Sequence, residues 1–190
     1  MTELIFVCPG EHIINDGSFW QRQSSLTEQG FSSGLRLKEK LIKHNKFDGI
    51  DSVSYPSSLN YAFEMAQALG LEHHSNANAD YELDPSKGSD ELDGLGEQAR
   101  SYTLSQINEA LPGYLPAYGY LIAASLISQM TKRSRQKGVV ILPEPCLSMT
   151  LWALDRNQQS IPIGSRRGPG TAICIQLSLV GRKGICYSEL

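Results

Sequence analysis

Along the chain, continuous apolar runs alternate with stretches in which apolar residues return every third or fourth position. Leu4-Ile5-Phe6-Val7 is the first continuous run. A half-exposed strand would alternate, so this run predicts a strand buried on both faces. SSLTEQGFSSGLRLKEKLIKHN then predicts a helix, with Thr27 as N-cap, Leu37 and Leu41 four apart, and Lys and His gathered near its end. Gly30 and Gly34 weaken that helix by about 1 kcal/mol each relative to alanine, unless close packing uses them. IDSVSY (50–55) predicts a short strand, and Pro56-Ser57-Ser58 leads into a second helix, LNYAFEMAQALG. Its apolar positions Leu59, Ala62, Phe63, Ala66 and Leu69 recur at helical spacing, and Gly70 ends it.

Beyond this point the pattern lapses. Residues 76–98 turn acidic and rich in Gly and Asp, with DPSKGSDELDGLGE at their centre, which predicts a polar surface loop or insertion. SYTLSQINEALPG and YGYLIAASLISQMTKRSRQK predict two more helices, the latter closed by Lys132, Arg133, Arg135 and Lys137. VVIL (139–142) is a short buried strand ending at Pro143-Glu144-Pro145-Cys146, and LSMTLWAL continues as a helix. TAICIQLSL alternates as a strand, and GICYSEL pairs with it as a hairpin around Gly181-Arg182-Lys183-Gly184. Strands alternating with helices predict one α/β domain over residues 1–190, a three-layer sandwich whose mostly parallel central sheet has helices on both faces. Ligands bind such sheets at the carboxyl ends of the strands. Two strand ends stand out there: Val7 into Cys8-Pro9-Gly10-Glu11, and Leu142 into Pro143-Glu144-Pro145-Cys146.

Composition narrows the class. A length of 190 residues, 41% hydrophobic and 19% charged, suits a globular domain with a core of its own. A formal net charge of −3 gives no reason to expect nucleic acid or an anionic membrane as partner. MTELIFVCPGE lacks a basic n-region, and no run is long enough to span a bilayer, so a cytoplasmic protein is expected. Cys8, Cys146, Cys174 and Cys186 have neither C-x-x-C spacing nor a histidine at zinc-ligand distance, so they are expected as free thiols, with no metal and no cofactor.

Three segments in order resemble the histidine phosphatase superfamily, the phosphoglycerate mutase-like fold. That family's first strand ends in Arg-His-Gly-Glu-Thr-x-x-Asn. Here the register reads Cys8-Pro9-Gly10-Glu11-His12-Ile13-Ile14-Asn15, which keeps Gly10, Glu11 and Asn15. Gln23-Ser24-Ser25-Leu26-Thr27-Glu28-Gln29-Gly30 is similar to Asp-Ser-Pro-Leu-Thr-Glu-x-Gly, and Pro56 to Ala66 to Ser-Ser-Pro-Leu-x-Arg-Ala-x-x-Thr-Ala. The late strand that runs into Ser-His-Gly corresponds to VVIL and Pro143-Glu144-Pro145.

The family's chemistry, as the resemblance implies it, needs a neutral imidazole that attacks phosphorus, two arginines and a second histidine around the phosphoryl oxygens, and an acid for the leaving group. At those positions stand Pro9 for the nucleophile, Cys8 and Tyr61 for the arginines, and Glu144, or Pro143 with the register shifted by one, for the second histidine. Glu82 corresponds to the general acid. The expectation is a degenerate member with no catalytic residue, its vestigial pocket formed by Cys8, Pro9, Gly10, Glu11, Asn15, Tyr61, Glu82 and Glu144. It would act as a binding or regulatory module for a protein or small molecule, and its sheet edge and apolar helices leave homodimerisation open. The competing expectation is an enzyme of altered, hydrolase-like chemistry that reuses Cys8, Glu144 and Glu82. Cys8 is then a thiolate nucleophile or, with Cys146, half of a redox pair; the simpler expectation is two buried, unreactive thiols. His12 is expected as a hydrogen-bonded loop residue, His73-His74 carry no role, and Arg166-Arg167 and the Lys132–Lys137 cluster are expected as solvated charge.

Overall fold

The structure, a computed structural model, describes residues 2–13, 23–56, 59–71, 91, 94–95, 102–132, 137–144, 146–154, 169–177 and 186–189. Among the described residues the regular elements follow in chain order as β1 (Thr2–Val7), α1 (Glu28–Lys43), β2 (Ser52–Ser54), α2 (Asn60–Leu69), α3 (Leu104–Ala110), α4 (Tyr114–Lys132), β3 (Lys137–Ile141), α5 (Cys146–Leu154), β4 (Ala172–Leu177) and β5 (Cys186–Glu189). The strands form one sheet in the order β2-β3-β1-β4-β5.

The first strand lies at the centre of this sheet. It runs parallel to β3, with Ile5 opposite Val139, and antiparallel to β4, with Ile5 opposite Cys174. Leu4, Ile5, Phe6 and Val7 are all buried. Successive side chains on a strand face opposite ways, so both faces of β1 are covered, as its unbroken apolar run predicts. The sheet is mixed: β2, β3 and β1 are parallel, whereas β4 and β5 add an antiparallel half. Helices sandwich it in three layers, with α1 packed on α2 and α4 on α5.

Each close helix pair is built around a glycine. A Cβ on Gly34 of α1 would lie 2.6 Å from the Ala68 methyl of α2, and one on Gly119 of α4 would run into the Met149 carbonyl of α5. Thr27 caps α1, its hydroxyl accepting from Gly30 N–H at 3.0 Å, and Gly70 ends α2 in the left-handed conformation at φ +75°. The α4 helix begins four residues earlier than the apolar pattern from Tyr118 predicts.

Phe63 departs from the expected apolar face of α2, being 38% exposed, while Tyr61 and Met65 are buried in its place. The buried stripe is therefore rotated on the helix. The antiparallel pairing of β4 with β5 agrees with the expected hairpin, whose turn around Gly181 lies outside the described residues. Apart from residues 91, 94 and 95, so does the acidic stretch at 76–98.

Gly30 is the tightest of these points, since a Cβ there would collide with the Glu11 carbonyl. Alanine normally improves a helix interior by about 1 kcal/mol. Here the clash reverses the sign, and Gly30→Ala should lower the unfolding free energy by about 1–3 kcal/mol in a urea titration.

Candidate functional site: the turns after β1 and β3

Both strand-end turns are laid down by backbone hydrogen bonds. Leu142 N–H donates to the Val7 carbonyl at 3.0 Å, which continues the β1–β3 ladder into the turns. On the other side Cys8 N–H donates to Thr171 at 2.9 Å, and Gly170 N–H reaches the Cys8 and Pro9 carbonyls at 3.1 and 3.2 Å. The next residues press against α1. Gly10 and Gly30 approach backbone to backbone so closely that a Cβ on either would collide with the other segment. Thr27 N–H donates to the Glu11 carbonyl at 2.9 Å, and the Thr27 hydroxyl donates to the Glu11 carboxylate at 3.1 Å. Gly10 and Glu11 thus hold the turn against the helix start.

Other side chains named at the two turns are buried or half-buried beside that frame. Tyr61 is 1% exposed, and its ring stacks on His12 with centroids 4.2 Å apart and planes 7° from parallel. His12 Nδ1 is 3.4 Å from the Gly10 carbonyl, so the imidazole is held at the turn, as expected of a loop histidine. Pro9 and Pro143 are buried, and Glu144 is half-buried, its carboxylate accepting from the Ser148 hydroxyl at 2.8 Å.

Cys8 and Cys146 are both buried and unoxidised. Burial pushes the Cys8 thiol up to about 12. The Glu144 carboxylate adds to the rise, and a hydrogen bond from the Glu144 backbone offsets it in part. Cys146 is held well above the ordinary thiol value, first by burial. The Tyr118 hydroxyl opposes that shift, and the charges of Glu144 and Cys8 reinforce it. The two thiols are thus near enough to share the Glu144 field, as the juxtaposition of the turns predicts. Each is a neutral S–H at physiological pH, whereas nucleophilic thiol chemistry runs through the thiolate.

Asn15, Glu82, His73, His74, Pro145, Arg166 and Arg167 lie outside the described residues. Lys137 does not face the strand-end turns. Its ammonium sits 3.6 Å from the Glu3 carboxylate and donates to the Asp48 carbonyl at 2.6 Å. Glu3 also pairs with Lys46 at 3.0 Å, a polar cluster at the opposite end of β1 that sequence pattern did not signal. Among the described residues no group of three or more His, Cys, Asp or Glu is placed to hold a metal ion, and no helix is long and apolar enough to cross a membrane.

The strand order, with helices on both faces of the sheet, matches the phosphoglycerate mutase-like fold. Solved structures bear this out. A protein histidine phosphatase, SixA, bound to tungstate matches at 15% identity over 98% of this chain and 94% of its own, with a TM-score of 0.65. A phosphoserine phosphatase from Entamoeba histolytica, in complex with 3-phosphoglyceric acid, matches at 11% identity over 100% and 96%, with a TM-score of 0.64. A mycobacterial glucosyl-3-phosphoglycerate phosphatase matches at 14% identity over 100% and 97%, with a TM-score of 0.57. No family model matches the sequence, and no curated protein does. The likeness lies in the fold.

The raised thiol values carry a pH signature. Above the unfolded thiol value near 9 the unfolded state releases the Cys8 proton, while the folded state holds it to about 12. The contribution of Cys8 to stability is therefore complete below pH 9 and lost between about 9 and 12. Cys8→Ala should flatten the fall of unfolding free energy over that interval, the slopes differing by up to about 1.4 kcal/mol per pH unit. Parallel denaturation series for the two proteins from pH 8 upward measure this.

Proposed function

We propose that the chain is a non-catalytic protein on the histidine-phosphatase scaffold, a cytoplasmic pseudoenzyme that works as a binding or regulatory module. The observation that carries this reading is the replacement, inside an intact frame, of every reactive group that the described residues cover. Pro9 offers no side-chain nucleophile, Tyr61 packs against His12 where a guanidinium would face phosphate, and Glu144 brings negative charge where a donor is needed. Removing a single charge-stabilising donor typically costs about 10²–10³ in rate. Loss of the nucleophile removes the covalent route altogether. Free, buried thiols accord with a reducing compartment and support the cytoplasmic assignment.

The alternative, an altered hydrolase using Cys8, Glu144 and Glu82, has less support. Its nucleophile would be a neutral thiol, buried beside a carboxylate that opposes ionisation. Incubation with 4-nitrophenyl phosphate should give no release of nitrophenolate above the rate without protein. Turnover that disappears in Cys8→Ala would overturn the proposal in favour of that alternative.

A further inference from the structure

The helices α1 and α2 run side by side in the same direction, since Gly34 lies against Ala68 and Lys38 against Gly70. Between the first turns of α1 and the middle and last turn of α2 they leave an open groove of about 570 Å³, lined by Leu26, Thr27, Glu28, Phe31, Ser32, Glu64 and Gln67. We propose that this groove docks an extended or helical peptide segment of a partner protein, one that carries arginine or lysine next to an apolar residue.

Three features of the groove argue for that occupant. Phe31 is 39% exposed at the wall and Leu35, one turn further along α1, is 46% exposed, so an apolar strip extends the groove along the helix. Among the described residues, the lining carries two carboxylates, Glu28 and Glu64, and no ammonium or guanidinium. Finally, Glu64 is fixed rather than mobile. Its carboxylate accepts from Leu26 N–H at 2.5 Å and from the Asn60 amide at 2.9 Å. Both donors are neutral, so these two hydrogen bonds hold the carboxylate at the groove wall without pairing its charge. A cationic side chain gains from a charge already held in place, and little ordering cost falls on the protein. Phe31 adds an aromatic face on which a guanidinium or an aliphatic side chain packs.

The inference names a partner class for the binding-module reading and rests on it. A fluorescein-labelled peptide of alternating arginine and leucine is titrated with the full chain in fluorescence anisotropy, against the same peptide with glutamate for arginine. The arginine peptide should bind, the glutamate peptide should not, and affinity should weaken as salt is raised from low to physiological strength. Glu28→Gln and Phe31→Ser should each weaken binding by about tenfold while the chain stays folded by circular dichroism at the assay temperature. In amide NMR spectra, the peptide should shift Phe31, Ser32 and Gln67.

Equal binding of the two peptides, no binding of the arginine peptide, or indifference to both substitutions would overturn the inference. So would sedimentation showing that the exposed Phe31 strip is covered by a second copy of the chain, with the dimer lost in Phe31→Ser. Phosphatase turnover on the same preparations would instead sink the non-catalytic reading, so the two failures are distinct.

Discussion

Because β1 is hydrogen-bonded along both edges and covered on both faces, its C-terminal end has one exit, out of the sheet beside β3. Everything at the candidate site follows from that constraint. The turn after Val7 is tied to Leu142 on one side and to Gly170 and Thr171 on the other, so its backbone is set before any side chain is considered. A strand with one free edge or one wet face would leave this exit open to several paths.

The second constraint acts where the turn meets α1. Gly10 and Gly30 touch backbone to backbone, and the Thr27 cap bonds to Glu11 as well as to its own helix. Glycine at both positions is a packing requirement, and the helix gives up intrinsic propensity at Gly30 to meet it. The form of the turn therefore rests on Gly10, Glu11, Thr27 and Gly30. The side chains of Cys8, Pro9, Tyr61 and Glu144 take no part in those contacts.

Much of this was legible from the residues. The unbroken run Leu4 to Val7 gave the central strand, and Thr27 gave the helix start, because an N-cap and a doubly buried strand are local patterns with one physical meaning. The glycines of α1 were readable only as a condition, that close packing must use them, since their partners Glu11, Met65 and Ala68 are distant or cross-element neighbours. Phe63 misled for a related reason. Helical spacing fits more than one stripe on α2, and Tyr61, large and polar-tipped, entered the core through its stack on His12, which no periodicity encodes. The Glu3–Lys46–Lys137 cluster likewise joins three segments far apart in the chain. As for the site, the two turns were legible as neighbours, whereas the protonation of their thiols depended on burial and on Glu144, which only the packed structure supplies.

Charge sign connects the two ends of the argument. A site built for a phosphoryl group concentrates cations and oriented donors. In this chain the described turn residues carry Glu11 and Glu144, and the groove along the neighbouring helices carries Glu28 and Glu64. Each of these carboxylates disfavours a dianion brought close to it and favours an ammonium or guanidinium. Glu144 also acts inward, as one of the reasons the buried thiols resist ionisation. Burial is the larger cause of the disfavoured thiolate, and the Glu144 charge adds to it.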